Sequence, residues 1–309
     1  MDQTLCECPS MPNRGASPTA HVLQPLATLE LAAASGIVVR GDRLYIVADD
    51  ELDLGVYDLA GQPLGKVPLL PGPLPVEPAA RKAAKPDFEA VLTLPDASLL
   101  VLGSGSTPQR MRGAWLRFDH ASQPSVQVVE LRELYEALAP QLPELNIEGA
   151  VVFGDQLLLC NRGNGARRDN ALVALNLAQV LLALSQQQPL PAAAVQKVRR
   201  VELGVLNGTA LSFTDLVVSD GQLLFSAAAE ASPNTYDDGV CAGSVLGQLS
   251  AAGTVEHVVP LTPTVKIEGL CVVGEREQRR LLAVADADDP RARAPLFYVA
   301  WSSTGPDSL

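Results

Sequence analysis

Three glutamates stand where glutamate is least expected, each near the start of an apolar run: Phe88-Glu89-Ala90-Val91, Ile147-Glu148-Gly149-Ala150 and Ile267-Glu268-Gly269-Leu270. Two further segments share the layout with a hydroxyl at the same place, Ser35-Gly36-Ile37 and Thr214-Asp215-Leu216. If the five positions converge, three carboxylates and two hydroxyls share one small volume. Unpaired carboxylates at close range repel and their pKa values rise. Protons shared between them relieve the repulsion, and so does a cation. An all-oxygen set without His or Cys suits a hard cation, Ca²⁺ before Mg²⁺, because Ca²⁺ accepts six to eight oxygens in flexible geometry. Ser35, Glu89, Glu148, Thr214 and Glu268 are therefore the candidate metal ligands. The competing expectation is a plug: the glutamates pair with basic groups, Lys85 and Lys266 first. Lys266 lies two residues before Glu268, and the two-residue period of a strand puts both on one face.

The elements that would bring these residues together form an internal repeat. Each segment continues from its short apolar strand through a turn (Gly41-Asp42, Pro95-Asp96, Gly154-Asp155, Asp220-Gly221) into a second strand rich in Leu and Val. Such turns are hairpin chemistry. A polar loop follows, then a third strand such as GVYDL, AWLRFD, ALVALNL or LFYVAW. Less regular fourth strands come next: QPLGKVPLL, PSVQVVELREL, VQKVRRVELGVL and TVEHVVPLT. The unit recurs at intervals of roughly 55–65 residues, longer than the ~40–50 of familiar propeller repeats but with the layout of a blade. The fifth unit lacks its fourth strand, and HVLQPLATLEL (21–31) reads like one. An all-β, five-bladed β-propeller is expected, with the N-terminal strand completing the last blade and removing an open sheet edge. The expected division is a flexible segment at 1–18, one propeller domain at 19–303 and a tail at 304–309. A Pro-rich loop at 71–87 and helices within 131–142 and 176–190 interrupt the pattern.

In a propeller the innermost strands line the central channel, so the five positions would form a ring about the axis, with small residues at the next position to fit the crowding. The loops after the second strands should then all emerge at one end. They carry Asp49 and Asp50; Ser104, Ser106 and Arg110; Asn161, Arg162, Asn164 and Arg167; Glu230 and Tyr236; and Asp286, Asp288, Asp289 and Arg291. Arg110, Asn161, Arg162, Asn164 and Asp286 are the candidate substrate-binding residues, since guanidinium forks match phosphate and carboxylate oxygens. The bland alternative is that the arginines pair with neighbouring aspartates. Gly103-Ser104-Gly105-Ser106 lacks the Gly-Lys-Ser/Thr of a phosphate loop. Asp286-Ala287-Asp288-Asp289 lacks the Gly and distal Glu of a calcium-binding EF-hand loop. His21, His120 and His257 fall at outer-strand or surface positions, and no Ser-His-Asp or Cys-His set accompanies them.

Composition narrows the partners. The 309 residues are 47% hydrophobic, ample for a core, and the net charge of −12 argues against nucleic acid, which needs a basic face. With 4% aromatic residues, stacking platforms are scarce. No run approaches the ~18 apolar residues of a membrane span and no signal-peptide pattern is visible, so a cytoplasmic monomer without nucleic-acid or membrane partners is expected. Of five cysteines, Cys160 and Cys271 sit in apolar runs as core thiols; Cys6 and Cys8 lack a second pair at zinc spacing.

The strand starts at Ser35, Glu89, Glu148, Thr214 and Glu268 resemble the inner strands of calcium-activated nucleotidases (apyrases), five-bladed propellers whose axial Ca²⁺ is held by alternating Ser and Glu. They also resemble the bacterial esterase-like phytase propellers, and a bacterial family of uncharacterised propellers. The resemblance implies a Ca²⁺-dependent phosphoric ester or anhydride hydrolase acting on a small anionic or phosphorylated ligand. Glu89, Glu148 or Glu268 would then serve as ligand or general base and Arg110 and Arg162 would hold substrate charge. The alternative is a non-catalytic propeller that binds a ligand or protein at its mouth around a structural ion. A glycosidase using two axial carboxylates is disfavoured by the scarcity of aromatics and by three glutamates at one level. A lactonase-like variant would add Asn161 or Asn164 as a ligand.

Overall fold

The computed structural model describes residues 20–118, 124–231, 239–274, 279–286 and 292–299. Expectations about Cys6, Cys8, His120, Tyr236, Asp288, Asp289, Arg291 and the chain ends lie outside these residues.

The chain begins with β1 (His21–Thr28), then folds as antiparallel meanders. The first is β2 (Ala34–Arg40), β3 (Arg43–Ala48), β4 (Asp53–Asp58) and β5 (Pro63–Pro68). The second is β6 (Phe88–Thr93), β7 (Leu99–Gly103), β8 (Arg112–Arg117) and β9 (Ser125–Glu130). The third is β10 (Ile147–Phe153), β11 (Gln156–Asn161), β12 (Ala171–Asn176) and β13 (Val195–Arg200). A two-residue strand, β14 (Val205–Leu206), precedes β15 (Thr209–Ser219), β16 (Gln222–Ala231), β17 (Val240–Leu249) and β18 (Val255–Thr262). The last run is β19 (Lys266–Val273), β20 (Arg280–Asp286) and β21 (Pro295–Val299).

β1 pairs antiparallel with β21, as the sequence anticipates. It also pairs parallel with β18 through His21↔Leu261 and Val22↔Thr262, so the last two runs merge into one nine-stranded sheet instead of standing as separate sheets. The first strands pack in sequence: β2 on β6, β6 on β10, β10 on β15, β15 on β19, and β19 back on β2.

The second strands read as continuous apolar runs because they are buried on both faces. Leu44, Ile46 and Ala48 of β3 face the last sheet, whereas Tyr45 and Val47 face the second. Leu157 and Leu159 of β11 pack toward the second sheet and Leu158 and Cys160 toward β15 and β16. In β20, Leu281, Ala283 and Ala285 take one side and Leu282 and Val284 the other. The core is thus a series of clusters between consecutive sheets, and a one-residue slip of any second strand would exchange its two faces.

Two helices cover the cluster between the second and third sheets: α2 (Arg132–Leu138), burying Leu134, Tyr135 and Leu138, and α3 (Leu177–Ser185), capped by Asn176 accepting from the Gln179 amide. Both fall within the expected ranges. The Pro-rich segment 71–87 is not wholly a loop. It holds a short α1 (Pro78–Ala84), because Glu77 accepts from the Ala79 and Ala80 amides and Pro78 presets the first turn. No helix of the described residues is long and apolar enough to cross a membrane.

Candidate functional site

Each first strand loses register at the same place. The pairing skips between Ala34 and Ile37, Phe88 and Ala90, Ile147 and Gly149, Phe213 and Asp215, and Ile267 and Gly269. The skipped residues include Ser35, Glu89, Glu148, Thr214 and Glu268. A bulge frees a residue from the ladder and re-aims its side chain, which is how a polar group can stand in an otherwise apolar strand.

The next residue is small because neighbouring first strands nearly touch. A Cβ on Gly269 would lie 2.4 Å from the Ser35 carbonyl oxygen, one on Gly36 would lie 2.7 Å from the Glu89 carbonyl oxygen, and one on Gly149 would lie 2.6 Å from the Asp215 Cα. Asp215 is the exception. Its Oδ2 accepts from the Leu270 amide (2.8 Å) and its Oδ1 from the Leu216 amide (2.7 Å), tying β15 to β19. Burial pushes its carboxyl well above the usual range.

At the bulge end, two clusters of buried ions adjoin. In the first, Lys85 bonds Asp49 and lies 2.9 Å from Asp87 Oδ1. Asp87 Oδ2 also accepts from Arg110 Nη1 (2.7 Å) and Ser104 Oγ (2.6 Å). Oxygens of Asp49, Asp87 and Glu89 all lie within 4.8 Å of one another. In the second, Arg162 bonds Glu230 and reaches both Glu148 oxygens at 3.4 Å and Glu268 at 3.9 Å. Lys266 reaches Glu268 at 3.1 Å and Glu230 at 3.6 Å, and Asn146 Nδ2 donates to Glu148 Oε1 at 2.6 Å.

Six carboxylates (Asp49, Asp87, Glu89, Glu148, Glu230, Glu268) thus meet four cations (Lys85, Arg110, Arg162, Lys266). Burial lifts Glu148 to about 8, with Arg162 opposing and Glu268 adding to the rise. Burial lifts Asp49 to about 6 against the pull of Lys85. Glu89 rises well above its ordinary value through burial and then the charges of Glu148 and Asp87; Glu268 rises through burial against Lys266 and Arg162. Burial works against the Lys85 ammonium too, yet Asp87, Asp49 and Glu89 outweigh it and hold the proton on. Glu89 keeps partial exposure, and its side chain makes no hydrogen bond or close ion pair among the described residues, Lys85 acting on it only at longer range. Glu268 Oε2 and Asp49 Oδ1 are buried without a hydrogen-bond partner among those residues.

The other expected residues are placed less uniformly. The Thr214 hydroxyl bonds Ser226 of the adjacent strand at 2.8 Å, and Ser35 Oγ is 3.5 Å from the Ala33 carbonyl oxygen. Arg110 and Arg162 sit in buried pairs with acids of this site. Asn161 braces its loop, accepting from the Asn146 amide (2.8 Å) and donating to the Asp169 carbonyl (2.9 Å). Asn164 is half-buried with Oδ1 unpartnered among the described residues, and Asp286 ends β20 opposite Lys266. Asp87, Asn146 and Glu230 belong to the site but were not singled out as ligands. A signal existed: Asp87, Asn146 and Lys266 each lie two residues before a repeated glutamate. Glu230 sits near the end of β16, which at ten residues outruns the other second strands.

The fold and its neighbours define a β-propeller. Among solved structures, a glutaminyl cyclase from Myxococcus xanthus aligns over 92% of this chain and 100% of its own, at 12% identity and TM-score 0.53. A bifunctional GH43-CE protein from Bacteroides eggerthii aligns over 91% of this chain and 35% of its own, at 10% identity and TM-score 0.52. At these identities the likeness is one of fold. Neither of these two neighbours is an apyrase or a phytase. A search of curated proteins finds no match. The chain belongs to a family of unknown function, DUF6929, whose model matches residues 30–300.

Proposed function

We propose that the protein is a five-bladed β-propeller, one domain over 19–303, that binds a divalent cation among the carboxylates at one mouth of its channel and holds a small anionic or phosphorylated ligand there. The closed circuit of first strands and the five equivalent bulges support the blade count. The observation that carries the cation reading is the surplus of buried carboxylates over cationic groups. It leaves Glu89 without a counter-ion in contact and oxygens of Glu268 and Asp49 unpartnered. Such an all-oxygen set fits Ca²⁺, with Mg²⁺ second. Glu89, Asp49 and Asp87 would hold it, and Glu148 and Glu268 extend the ring that the sequence suggests, with Ser35 and Thr214 behind them.

A divalent ion held there would polarise a phosphoryl oxygen and lower the pKa of a water. Glu89, the half-buried member of the three glutamates, would serve either as an ion ligand or as the base that takes a proton from an attacking water. Glu148 and Glu268 are enclosed and face Arg162 and Lys266. Lys85 and Arg110 fix Asp49 and Asp87. This chemistry is hydrolysis of a phosphoric ester or anhydride. Assaying p-nitrophenyl phosphate, nucleotides and phytate with Ca²⁺ and with chelator tests it. Turnover that needs Ca²⁺ and fails in Glu89→Gln is expected; no turnover with any substrate class overturns the hydrolase reading.

A second reading is favoured by a specific observation. Arg110 and Arg162, the groups expected to hold substrate charge, are 4% exposed each and engaged with Asp87 and Glu148. A propeller with a structural ion and a non-catalytic binding mouth would show the Ca²⁺ response without turnover.

A further inference from the structure

Away from the mouth, a crevice of about 230 Å³ opens between the third sheet and the β15–β18 part of the nine-stranded sheet. Its floor is apolar: Phe153, Leu158 and Leu172 from the third sheet and Leu223 from β16. Its rim is basic. Lys197 and Arg199 stand two residues apart on β13, directly opposite Ala174 and Leu172, so they share the face that lines the crevice. The turn at 251–253 forms another edge, beside Arg199. Gly253 there is held at φ +75°, and a Cβ on it would lie 3.0 Å from Leu172 Cδ1 and 3.3 Å from Arg199 Cδ.

The charge arrangement is out of keeping with the rest of the molecule. The chain carries −12 overall, yet no acidic residue lines this crevice. The neighbouring Arg200 is paired with Asp169 at 2.9 Å, whereas Lys197 and Arg199 have no carboxylate within ion-pair distance among the described residues. Leu158, Leu172 and Leu223 lie beneath them, each under 10% exposed. An apolar floor with convergent polar groups at one edge is the usual make-up of a small-ligand site, and the volume falls below the ~300 Å³ at which drug-sized sites begin.

We infer that this crevice binds a small carboxylate with an apolar body, its carboxylate on Lys197 and Arg199 and its body against Leu158, Leu172 and Leu223. Arginine matches a carboxylate with a two-pronged fork, and the aliphatic stems of both side chains extend the apolar wall. The site is independent of the mouth and of any ion bound there.

Methyl-labelled protein titrated with benzoate and with hexanoate tests the inference, the two arms separating an aromatic from an aliphatic body. Saturable shifts of the Leu158, Leu172 and Leu223 methyls are expected for at least one, unchanged by chelator. The doubly substituted Lys197→Gln, Arg199→Gln protein should bind at least fivefold more weakly. Benzyl alcohol and hexanol, which keep the body and lose the charge, should bind unaltered protein at least fivefold more weakly than their acids. No saturable shift with either acid overturns the inference, and so does a loss under fivefold in the double variant or with the alcohols. The alcohol arm uses unaltered protein and does not depend on how the variant folds.

Discussion

Glu148 is a carboxyl group 4% exposed, wedged between Arg162 and Asn146 with Glu268 nearby. Its pKa, lifted by burial to about 8, ties stability to pH. In the unfolded chain this group releases its proton near 4.5, whereas in the folded chain it keeps it to about 8. The folded state therefore binds more protons across that window and stability falls as pH rises through it. Asp49 acts with the same sign between 3.8 and about 6. Thermal unfolding should show a Tm lower at pH 8 than at pH 5 in chelator, and Glu148→Gln should flatten that slope; an equally steep slope in the variant contradicts the assignment. Arg162→Met removes the guanidinium that faces Glu148, Glu230 and Glu268, and breaking a buried pair costs about 3–5 kcal/mol. The loss, measured by denaturant unfolding, should be larger at pH 8 than at pH 5, where the stranded carboxyls can protonate. The repeated glutamates were legible in the sequence because a charge heading an apolar strand is conspicuous. Their partners were less so: Lys85 and Lys266 could be named from proximity along the chain, but Glu230 reaches Arg162 across 68 positions, and a contact of that span leaves no local pattern.

The bulge is what converts a repeated sequence into a site. Hairpin turns and two-faced second strands follow from Gly/Asp punctuation and apolar runs, so the meanders were readable, including β1 as the partner of β21. The parallel contact between β1 and β18 was not, since it involves only two residue pairs and depends on how outer strands of neighbouring sheets happen to meet. The helix α1 was hidden by proline, although Glu77 and Pro78 form a start signal. Crowding at the bulges makes a direct prediction. Gly269→Ala places a methyl 2.4 Å from the Ser35 carbonyl oxygen and Gly149→Ala places one 2.6 Å from Asp215. Each should cost about 1–3 kcal/mol as overpacking, measured by chemical denaturation. A neutral outcome at both positions would mean that the first strands are farther apart than described.

At the scale of the whole molecule, the circuit of first strands is closed by β19 on β2, and β1 covers β21. Deleting residues through Thr28 exposes the β21 edge, and open edges recruit other chains. Size-exclusion chromatography should show self-association of the shortened protein and calorimetry a lower Tm; an unchanged, monodisperse product would argue against closure by this strand. The same circuit gathers six carboxylates and four cations at one end, and a divalent cation there would offset the surplus of acidic groups. The most direct measurement is a calorimetric titration with Ca²⁺ at pH 8, repeated on Glu89→Gln. The account predicts saturable binding to the unaltered protein, a Tm raised by several degrees at saturation, and affinity at least tenfold weaker in the variant. No heat and no Tm rise at millimolar Ca²⁺, or equal affinity in Glu89→Gln, would contradict it.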